Sequence, residues 1–398
     1  MHITRTFGHL LGGSLLVAGT SIGVGMLAAP VATAEGGLLP SLFIYLLCWI
    51  FSLCTGLLIL EATIWMPKDA NLVTLADRLL GKSGKIVCWI LYLFLFGTLM
   101  VAHIAGGGSI VNQITHDTLP TWAGMLLYTA LFAPVVYLGT HSVDRLNLVL
   151  VSGIAITYLL FVIFSVPHIQ LPLLKHANWG KAWLALPLLF TAFGYQNLIP
   201  TLMTYMNRNV QKVRLAIVIG TVIPFIIYTI WEILILGIVP LKGAGGLREA
   251  LINGESAIGP LYQFIHNPAI LNLGKAFAFF VLTASFIGMS IGFFDFLADG
   301  LKIEKKGKGR LKLCAIMFII PMIISLINPN IFIAAISHAG GLGVALLLGL
   351  MPIAFVWKGR YYRGYSLMHQ QLPGGKIFLS ALTLFVLIEL FIELRGFF

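Results

Sequence analysis

Charge is what this sequence lacks most. Asp, Glu, Lys and Arg make up 10% of its 398 residues, whereas hydrophobic residues make up 59%, and the mean hydropathy is +0.97. Soluble domains carry about 25% charged residues, so a soluble fold of this composition would leave large apolar areas facing water. The composition therefore excludes an ordinary soluble protein and indicates a membrane protein.

Cysteine and acidic residues are also scarce. The 4 cysteines show no C-x-x-C spacing and lie in or beside apolar runs, where they act as small hydrophobic side chains. We therefore expect neither disulfides nor a bound metal. The formal net charge of +11 comes from 25 basic against 14 acidic residues. The basic residues cluster in short loops between apolar runs, so we expect lipid rather than nucleic acid as the surrounding partner.

Long apolar runs are abundant, and each of eleven is long enough to cross a bilayer, which needs roughly 20 residues. The first run is too long for a signal peptide and is followed by further spans, so we expect it to be retained. No connection has the composition of a separate domain, so residues 1–398 form a single membrane domain. The approximate limits are 7–34, 38–66, 84–115, 121–141, 146–166, 181–206, 213–240, 271–299, 311–328, 330–357 and 376–395.

The Lys and Arg residues of the loops predict the orientation of these spans, because cytoplasmic loops carry an excess of both. With the N-terminus inside, most of the 25 basic residues are cytoplasmic. An odd number of spans then places the C-terminal Phe398 outside, in the periplasm or extracellular space. The basic residues on the outer side are Lys175, Lys181, Lys242, Arg248, Lys275 and Arg395.

Two spans carry sequences that are unsuited to a continuous helix. Residues 18–26, AGTSIGVGM, place glycines and hydroxyls in the middle of the first span. Residues 191–200, TAFGYQNLIP, combine glycine, amides and proline in the sixth. Pro200 has no N–H to donate and disfavours helical geometry at Ile199. Both segments therefore predict interrupted helices, and the alternative for each is a kinked packing helix.

Unwound backbone at membrane depth is tolerated only where it is buried or lines a cavity. The N-terminus of a half-helix offers free N–H groups to a carboxylate, and the other half-helix offers carbonyls to an ammonium group. A pair of breaks five spans apart is the pattern of inverted-repeat transporters with a site at the midplane. The two segments together therefore predict a receptor for a zwitterion.

The segments AGTSIGVGMLAAP and TAFGYQNLIPTLMTY resemble the first- and sixth-helix signatures of the aromatic amino acid permeases, the tyrosine and tryptophan permease family. The resemblance implies an all-α LeuT-type fold of the amino acid–polyamine–organocation superfamily, located in the bacterial inner membrane. It further implies two inverted repeats, at about 7–166 and 181–357, a peripheral helix at about 376–395, and proton-coupled uptake.

By this likeness, Gly19, Thr20, Ser21, Ile22, Gly23 and Gly25 hold the backbone of the amino acid. The side-chain pocket and its gate are lined by Phe193, Gly194, Tyr195, Gln196 and Asn197, and Phe286 of span 8 is a further candidate. His103 lies in the third span, which usually contributes to the site in this fold. We expect tyrosine as the substrate, because Gln196, Asn197 or His103 offers a polar partner for its hydroxyl. Tryptophan and phenylalanine remain alternatives.

Ionisable residues at membrane depth are costly and are functional candidates. Glu61, His103, Glu232 and Asp295 are the candidates for carrying the coupling proton. Glu61 has the alternative role of bracing freed N–H groups near Gly23 or Gly194. We expect His338 to be a packing residue. We expect Glu389, on the last span, to reach the outer interface with Glu393 and Arg395.

The sequence leaves three alternatives to a proton-coupled permease: a sodium symporter, a channel or structural protein, and an enzyme. A sodium-coupled symporter on the same fold would combine carbonyls of the first helix with the hydroxyls of Thr283 and Ser285. A channel or structural protein is disfavoured by the two breaks and by the lack of repeated pore-lining charge. Residues 19–25 do not match G-x-G-x-x-G and do not follow a strand, so we expect neither an enzyme nor a cofactor.

Overall fold

The computed structural model of the chain describes residues 2–68, 70–115, 118–138, 140–365 and 370–396. Phe398, at the predicted outer C-terminus, lies outside these ranges. Every regular element within them is helical. The α-helices are α1 His2–Ser21, α2 Val24–Thr33, α3 Leu38–Ile64, α4 Leu72–Ile114, α5 Thr121–Leu138, α6 Thr140–Ser165, α7 Trp179–Ala182, α8 Leu186–Ala192, α9 Ile199–Tyr205, α10 Val210–Ile238, α11 Leu247–Asn253, α12 Ile258–Phe264, α13 Pro268–Leu301, α14 Gly307–Ile327, α15 Phe332–His338, α16 Met351–Tyr361 and α17 Gly375–Gly396.

Ten segments of the described chain are long and apolar enough to cross a membrane. The bent pair of α1 and α2 makes an eleventh, which confirms the predicted number of spans. Span 1 is α1 with α2, and span 6 runs from α7 to α9. Span 10 joins α15, the π-helical segment Ala339–Leu350 and α16. Helices α11 and α12 lie in the connection between spans 7 and 8.

Both predicted breaks are present. Helix α1 ends at Ser21, Gly23 has extended backbone, and α2 continues at an angle of 51°. In span 6, α8 ends at Ala192, a 3₁₀ turn covers Gln196–Leu198, and α9 follows. Pro200 lies in the first turn of α9, where its missing N–H costs nothing. The proline therefore starts the second half-helix rather than kinking a continuous one.

Several helix ends differ from the sequence-based limits, those of α4 and α16 among them. Helix α4 begins at Leu72 rather than at 84 and bends at Gly81, whose φ of 82° suits glycine. Helix α16 continues to Tyr361 rather than ending at 357. In both places the helix carries charged residues beyond its apolar run, so hydropathy alone ends the span too early.

The half-helices occupy the centre of the bundle. Helix α1 packs along α10, and α2 packs against α8, α10 and α11. A Cβ atom on Gly25 would lie 2.9 Å from Cα of Ala192, so glycine is required for α2 and α8 to approach this closely. We call the end of the bundle with the lysine- and arginine-rich loops after spans 2, 6, 8 and 10 the basic end, and the other the opposite end.

Candidate functional site at the two helix breaks

One tyrosine joins the two breaks. The hydroxyl of Tyr228, on α10, lies 2.5 Å from the carbonyl oxygen of Ser21 and 3.0 Å from that of Ala192, and it can donate its one hydrogen to either. These carbonyls belong to the last turns of α1 and α8, where intrahelical partners are missing. Tyr228 was not among the residues predicted from the sequence. Its position in the middle of an apolar span could have indicated it, because a buried tyrosine hydroxyl usually has a hydrogen-bond partner.

The N-terminus of α2 faces the first break. The N–H groups of Val24 and Gly25 begin this helix and therefore have no intrahelical acceptor. The adjacent residue, Gly23, lies against α13, because a Cβ atom there would come within 2.8 Å of the Ser285 hydroxyl. This arrangement can bind a carboxylate at the positive end of the α2 dipole.

An ionisable side chain reaches this break through one hydroxyl. His103 is buried on α4, with Nε2 2.8 Å from Oγ of Ser285 and Nδ1 2.6 Å from the carbonyl of Leu99. Because the Leu99 carbonyl can only accept, Nδ1 carries the hydrogen, and neutral Nε2 accepts from Ser285. A second proton, on Nε2, would make this nitrogen a donor and would reverse the hydrogen bond to Ser285. Ser285 in turn lies against Gly23 of the first break.

The second break is braced by span 2. Ser52 donates to the carbonyl of Phe193 at 2.6 Å, and the Gln196 amide donates to Ser52 and Thr55 while accepting from the N–H of Tyr195. The hydroxyl of Tyr195 donates to the Ser52 carbonyl. Ser52 and Thr55 were not predicted as part of the site. Their spacing could have indicated it, because hydroxyl side chains three residues apart lie on the same face of a helix.

Aromatic rings line the region around the breaks. Phe193, in the second break, packs edge-on against Tyr228 with 5.3 Å between ring centroids. Phe286 is fully buried on α13, 6.3 Å from the His103 ring and against Tyr128. Phe193 therefore lies at the break itself, and Phe286 lies behind His103.

The other residues predicted for the first break face in several directions. Gly19 and Thr20 are exposed on α1, one turn before the break, and Ile22 is half-buried within it. A Cβ atom on Gly19 would meet no atom within 4 Å, and the same holds for Gly288, one turn from Ser285 towards the basic end. Gly19 and Gly288 therefore both face open space on the basic side of the Gly23–Ser285 contact.

In the second break, Gly194 is half-buried and Asn197 is exposed. Gly194 donates its N–H to the carbonyl of Thr191 at 3.1 Å, which turns the chain after α8. The exposed side chain of Asn197 contrasts with that of the neighbouring Gln196, which is buried.

The opposite end of the breaks is closed by charges, which we call the latch: Glu35, Lys181 and Arg248. Glu35, after α2, accepts hydrogen bonds from Arg248 of α11 and from Lys181 of α7, the latter at 2.7 Å. The bond from Arg248, together with that from Lys181, lowers the pKa of Glu35 to about 2. The N–H of Ala257 also donates to the carbonyl of Leu27 at 2.9 Å, so the connection between spans 7 and 8 covers α2.

A polar cavity of about 580 Å³ lies at the same end, beside the covered breaks. Helices α4, α12 and α13 contribute to its wall, and Nζ of Lys275 donates to the carbonyl of Gln113 at 2.6 Å. No residue of its lining belongs to either break. Its lining residues include Ser109, Asn112, Gln113, Glu255, Gln263 and Lys275.

The expectation that Glu61 braces the breaks is wrong. Both of its carboxylate oxygens bind the Arg360 guanidinium, at 2.6 and 2.7 Å, and one also accepts the N–H of Gln371. Arg360 lies on the buried extension of α16 that the hydropathy limit of span 10 excluded. Glu61 therefore ties span 2 to span 10 at the basic end.

Neither of the other acidic candidates contacts the first break, although Tyr45, a partner of Glu232, packs edge-on against Phe193 of the second break. Glu232, fully buried on α10, accepts hydrogen bonds from Thr33 at 2.5 Å and from Tyr45 at 2.8 Å, near the opposite end. Asp295 is half-exposed near the basic end and pairs with Lys305 at 2.7 Å. The two ion-pair partners of Lys305, Asp295 and Asp299, raise the pKa of this loop lysine.

The hydroxyls considered for a sodium site do not converge. Ser285 faces Gly23 and His103, whereas Thr283 is 3.5 Å from the hydroxyl of Tyr128 on α5. Residues two apart on a helix point in different directions. The structure therefore places Ser285, but not Thr283, at the first break.

Sequence comparison relates the chain to membrane transport proteins. The sequence matches the tryptophan/tyrosine permease family over residues 7–392. It is 32% identical to a tryptophan-specific transport protein of Pseudomonas aeruginosa, covering 83% of this chain and 82% of the relative. It is 31% identical to tyrosine-specific transport system 1 of Haemophilus influenzae, covering 92% of each.

Two solved structures share the architecture. MhsT in complex with L-phenylalanine superposes with a TM-score of 0.67 at 18% identity, covering 98% of both chains. A manganese transporter of Eremococcus coleocola gives 0.63 at 15% identity, covering 97% of this chain and 85% of the other. At these identities the likeness establishes the fold alone, and it confirms the predicted LeuT-type arrangement.

Proposed function

The chain belongs to the tryptophan/tyrosine permease family, and from this premise we propose that it imports tyrosine by proton symport. The membership confirms that the chain is a membrane permease rather than an enzyme. The substrate, the coupling ion and the direction of transport are the parts that we propose.

The observation that carries the proposal is the contact series from His103 through Ser285 to Gly23. A proton bound at Nε2 of His103 turns the Ser285 hydroxyl towards the first break, where we place the substrate carboxylate. Substrate and proton then stabilise each other, as symport requires. We assign the proton to His103 rather than to Glu61, Glu232 or Asp295, because His103 is the member of this set that reaches the first break, where we place the carboxylate, through one hydroxyl.

Sodium coupling is disfavoured by the same geometry. The hydroxyl of Ser285 is engaged by His103, and Thr283 faces α5. A sodium site at the first break would need several oxygen ligands to converge there. We therefore keep sodium symport as the alternative that the transport experiment must exclude.

The substrate would lie between the breaks. We propose that the N-terminus of α2 binds the carboxylate and that the residues Gly19–Gly25 and the carbonyl of Ala192 receive the backbone. Phe193 forms one wall for the aromatic ring and Phe286 supports it, while Tyr195 and Gln196 hold the second break in shape. The exposed amide of Asn197 supports tyrosine, because it is an accessible partner for the phenol hydroxyl.

Gly19 of α1 and Gly288 of α13 face open space on the side of the basic end, and the latch covers the opposite end. If the basic end is cytoplasmic, as the distribution of Lys and Arg predicts, this arrangement is open to the inside. We propose that spans 1–5 and 6–10 form the two repeats and that α1 and the latch alternate in closing the two sides.

Purified protein in liposomes tests the proposal. An acid gradient directed inwards, in sodium-free buffer, should drive accumulation of labelled tyrosine, and a protonophore should abolish it. Unlabelled tyrosine should compete better than tryptophan or phenylalanine. His103→Gln, which keeps a polar side chain but cannot titrate, should lose gradient-driven accumulation and retain exchange of tyrosine across the membrane.

His266→Gln is the matched control, since His266 is exposed between α12 and α13, and it should behave like the wild type. Uptake that requires sodium and ignores the pH gradient would refute proton symport. Stronger competition by tryptophan than by tyrosine would refute the proposed specificity.

A further inference from the structure

The last span turns its two acidic residues inwards. Six long apolar side chains of α17 are exposed on the outer surface of the bundle, among them Leu384, Leu387 and Phe391. The buried residues repeat at intervals of three and four and therefore form one helix face. They are Leu379, Leu382, Val386, Glu389 and Glu393. The expectation that Glu389 and Glu393 reach the outer interface is wrong.

Glu389 is the more unusual of the two. It is fully buried, and among the described residues neither carboxylate oxygen has a hydrogen-bond partner. An ionised carboxylate without donors is very costly in such surroundings, whereas the neutral acid is far less so. The position therefore requires a proton rather than a permanent negative charge.

A connection from Glu389 to the surface runs through two further groups. Glu393 is one helical turn away on the same face, which brings the two side chains to neighbouring positions. One oxygen of Glu393 lies 2.5 Å from Nδ1 of His338, at the end of α15. The His338 side chain is 36% exposed and that of Glu393 only 4%. Exposure thus falls stepwise from His338 to Glu389.

The elements packed against α17 supply few other charges near this position. The π-helical segment Ala339–Leu350, helix α8 and residues 183–185 contain no acidic, basic or thiol side chain. On α16, Lys358 and Arg360 lie at the basic end, with Arg360 bound to Glu61. Cys48 of α3 is close enough to Glu389 to interact with its charge. Among the described residues, the titratable groups around Glu389 are therefore His338, Glu393 and Cys48.

We propose that Glu389 is a second proton-binding site, separate from the helix breaks, and that it exchanges its proton with the opposite end through Glu393 and His338. Phe385, one turn before Glu389, packs against Phe190 of α8 with 5.7 Å between ring centroids. Loss of the proton would place an unpaired charge beside the half-helix that ends at the second break. The packing of span 6 against α17 would thereby respond to the pH at the opposite end.

Infrared difference spectroscopy of the purified protein tests this site without substrate. Between acidic and alkaline buffer, the wild type should show a band of a protonated carboxyl that disappears at high pH. Glu389→Gln should lack this band, and Glu304→Gln, at an exposed loop carboxyl, should retain it. Glu389→Met removes the polar group at similar volume and provides the same comparison if the glutamine variant does not fold.

The route is tested by hydrogen–deuterium exchange of the same band. His338→Gln and Glu393→Gln should slow the exchange several-fold. Identical pH difference spectra for the wild type and both Glu389 variants would overturn the proposal. Unchanged exchange in the His338 and Glu393 variants would overturn the route. These readouts involve no transport, so they stand or fall separately from proton symport.

Discussion

At the scale of single residues, Glu61 shows how a partner distant in sequence changes the role of a side chain. It lies 299 positions from Arg360, and nothing in the local sequence of span 2 indicates this pairing. An acid in an apolar span suggested either a proton carrier or a brace at the breaks. The structure instead pairs both of its carboxylate oxygens with one arginine, Arg360.

This pairing predicts a large effect on stability. Glu61→Gln leaves the Arg360 guanidinium buried without its counter-charge, so we expect a loss of about 3–5 kcal/mol. Arg360→Met alone should be similarly harmful, whereas the double variant should recover most of the loss. The measurement is the melting temperature of the purified protein in detergent.

Transport by the double variant then separates the two roles of Glu61. If Glu61 only joins spans 2 and 10, the stable double variant should accumulate substrate on a pH gradient. A double variant that is stable but cannot accumulate would contradict this structural role and return Glu61 to the proton carriers.

At the scale of elements, the sequence predicted the two helix breaks but not the side chains of other spans that bind to them. Glycine, amide and proline residues at 18–26 and 191–200 predict unwinding, because they lack side-chain packing or a backbone donor. The braces Tyr228, Ser52 and Thr55 come from spans 2 and 7. Those spans are apolar on all faces, since lipid and core are both apolar, so no periodicity shows which face meets the breaks.

The latch provides a prediction for the connection between spans 7 and 8. Glu35→Gln weakens the hydrogen bonds to Arg248 and Lys181 and should loosen this connection from α2. A cysteine placed at Ala257, which is fully buried, should then react faster with a membrane-impermeant maleimide. Glu249→Gln is the control, because Glu249 binds the N–H of Gly245 within the connection itself.

The pH dependence of the latch follows from the pKa of Glu35, which is lowered from 4.5 to about 2. The stabilisation is fully present above pH 4.5 and is lost as the pH falls towards 2. The labelling rate of the Ala257 cysteine, divided by that of a cysteine placed at the exposed His266 and measured at the same pH, should therefore be constant between pH 5 and 8 in the otherwise unmodified chain, because thiolate formation changes both rates alike. An increase within that window would show that another group controls the latch.

At the scale of the whole molecule, hydropathy predicted the number of spans, and the resemblance of residues 18–30 and 191–205 to a known family implied the fold. It could not predict the extension of α16 to Arg360 or the inward face of α17, because both depend on partners brought together by folding. The substrate-binding roles of the break residues remain predictions.

Orientation is the property of the whole molecule that is most directly tested. A reporter that is active only outside the cytoplasm should be active when fused after Phe398. The same reporter fused after Arg363, in the loop between spans 10 and 11, should be inactive. The reverse pattern would place the basic end outside and would invert the proposed direction of opening.

The single hydroxyl that serves both breaks has a further consequence. A phenol has one hydrogen, yet Tyr228 stands between two acceptors, the carbonyls of Ser21 and Ala192. A full hydrogen bond to one leaves the lone pairs of the other underused. An arriving ammonium group can supply the missing donor without displacing the tyrosine. One of the two carbonyl oxygens therefore lacks a full hydrogen-bond donor, and the ammonium group of an amino acid has the charge and the hydrogens to act as that donor.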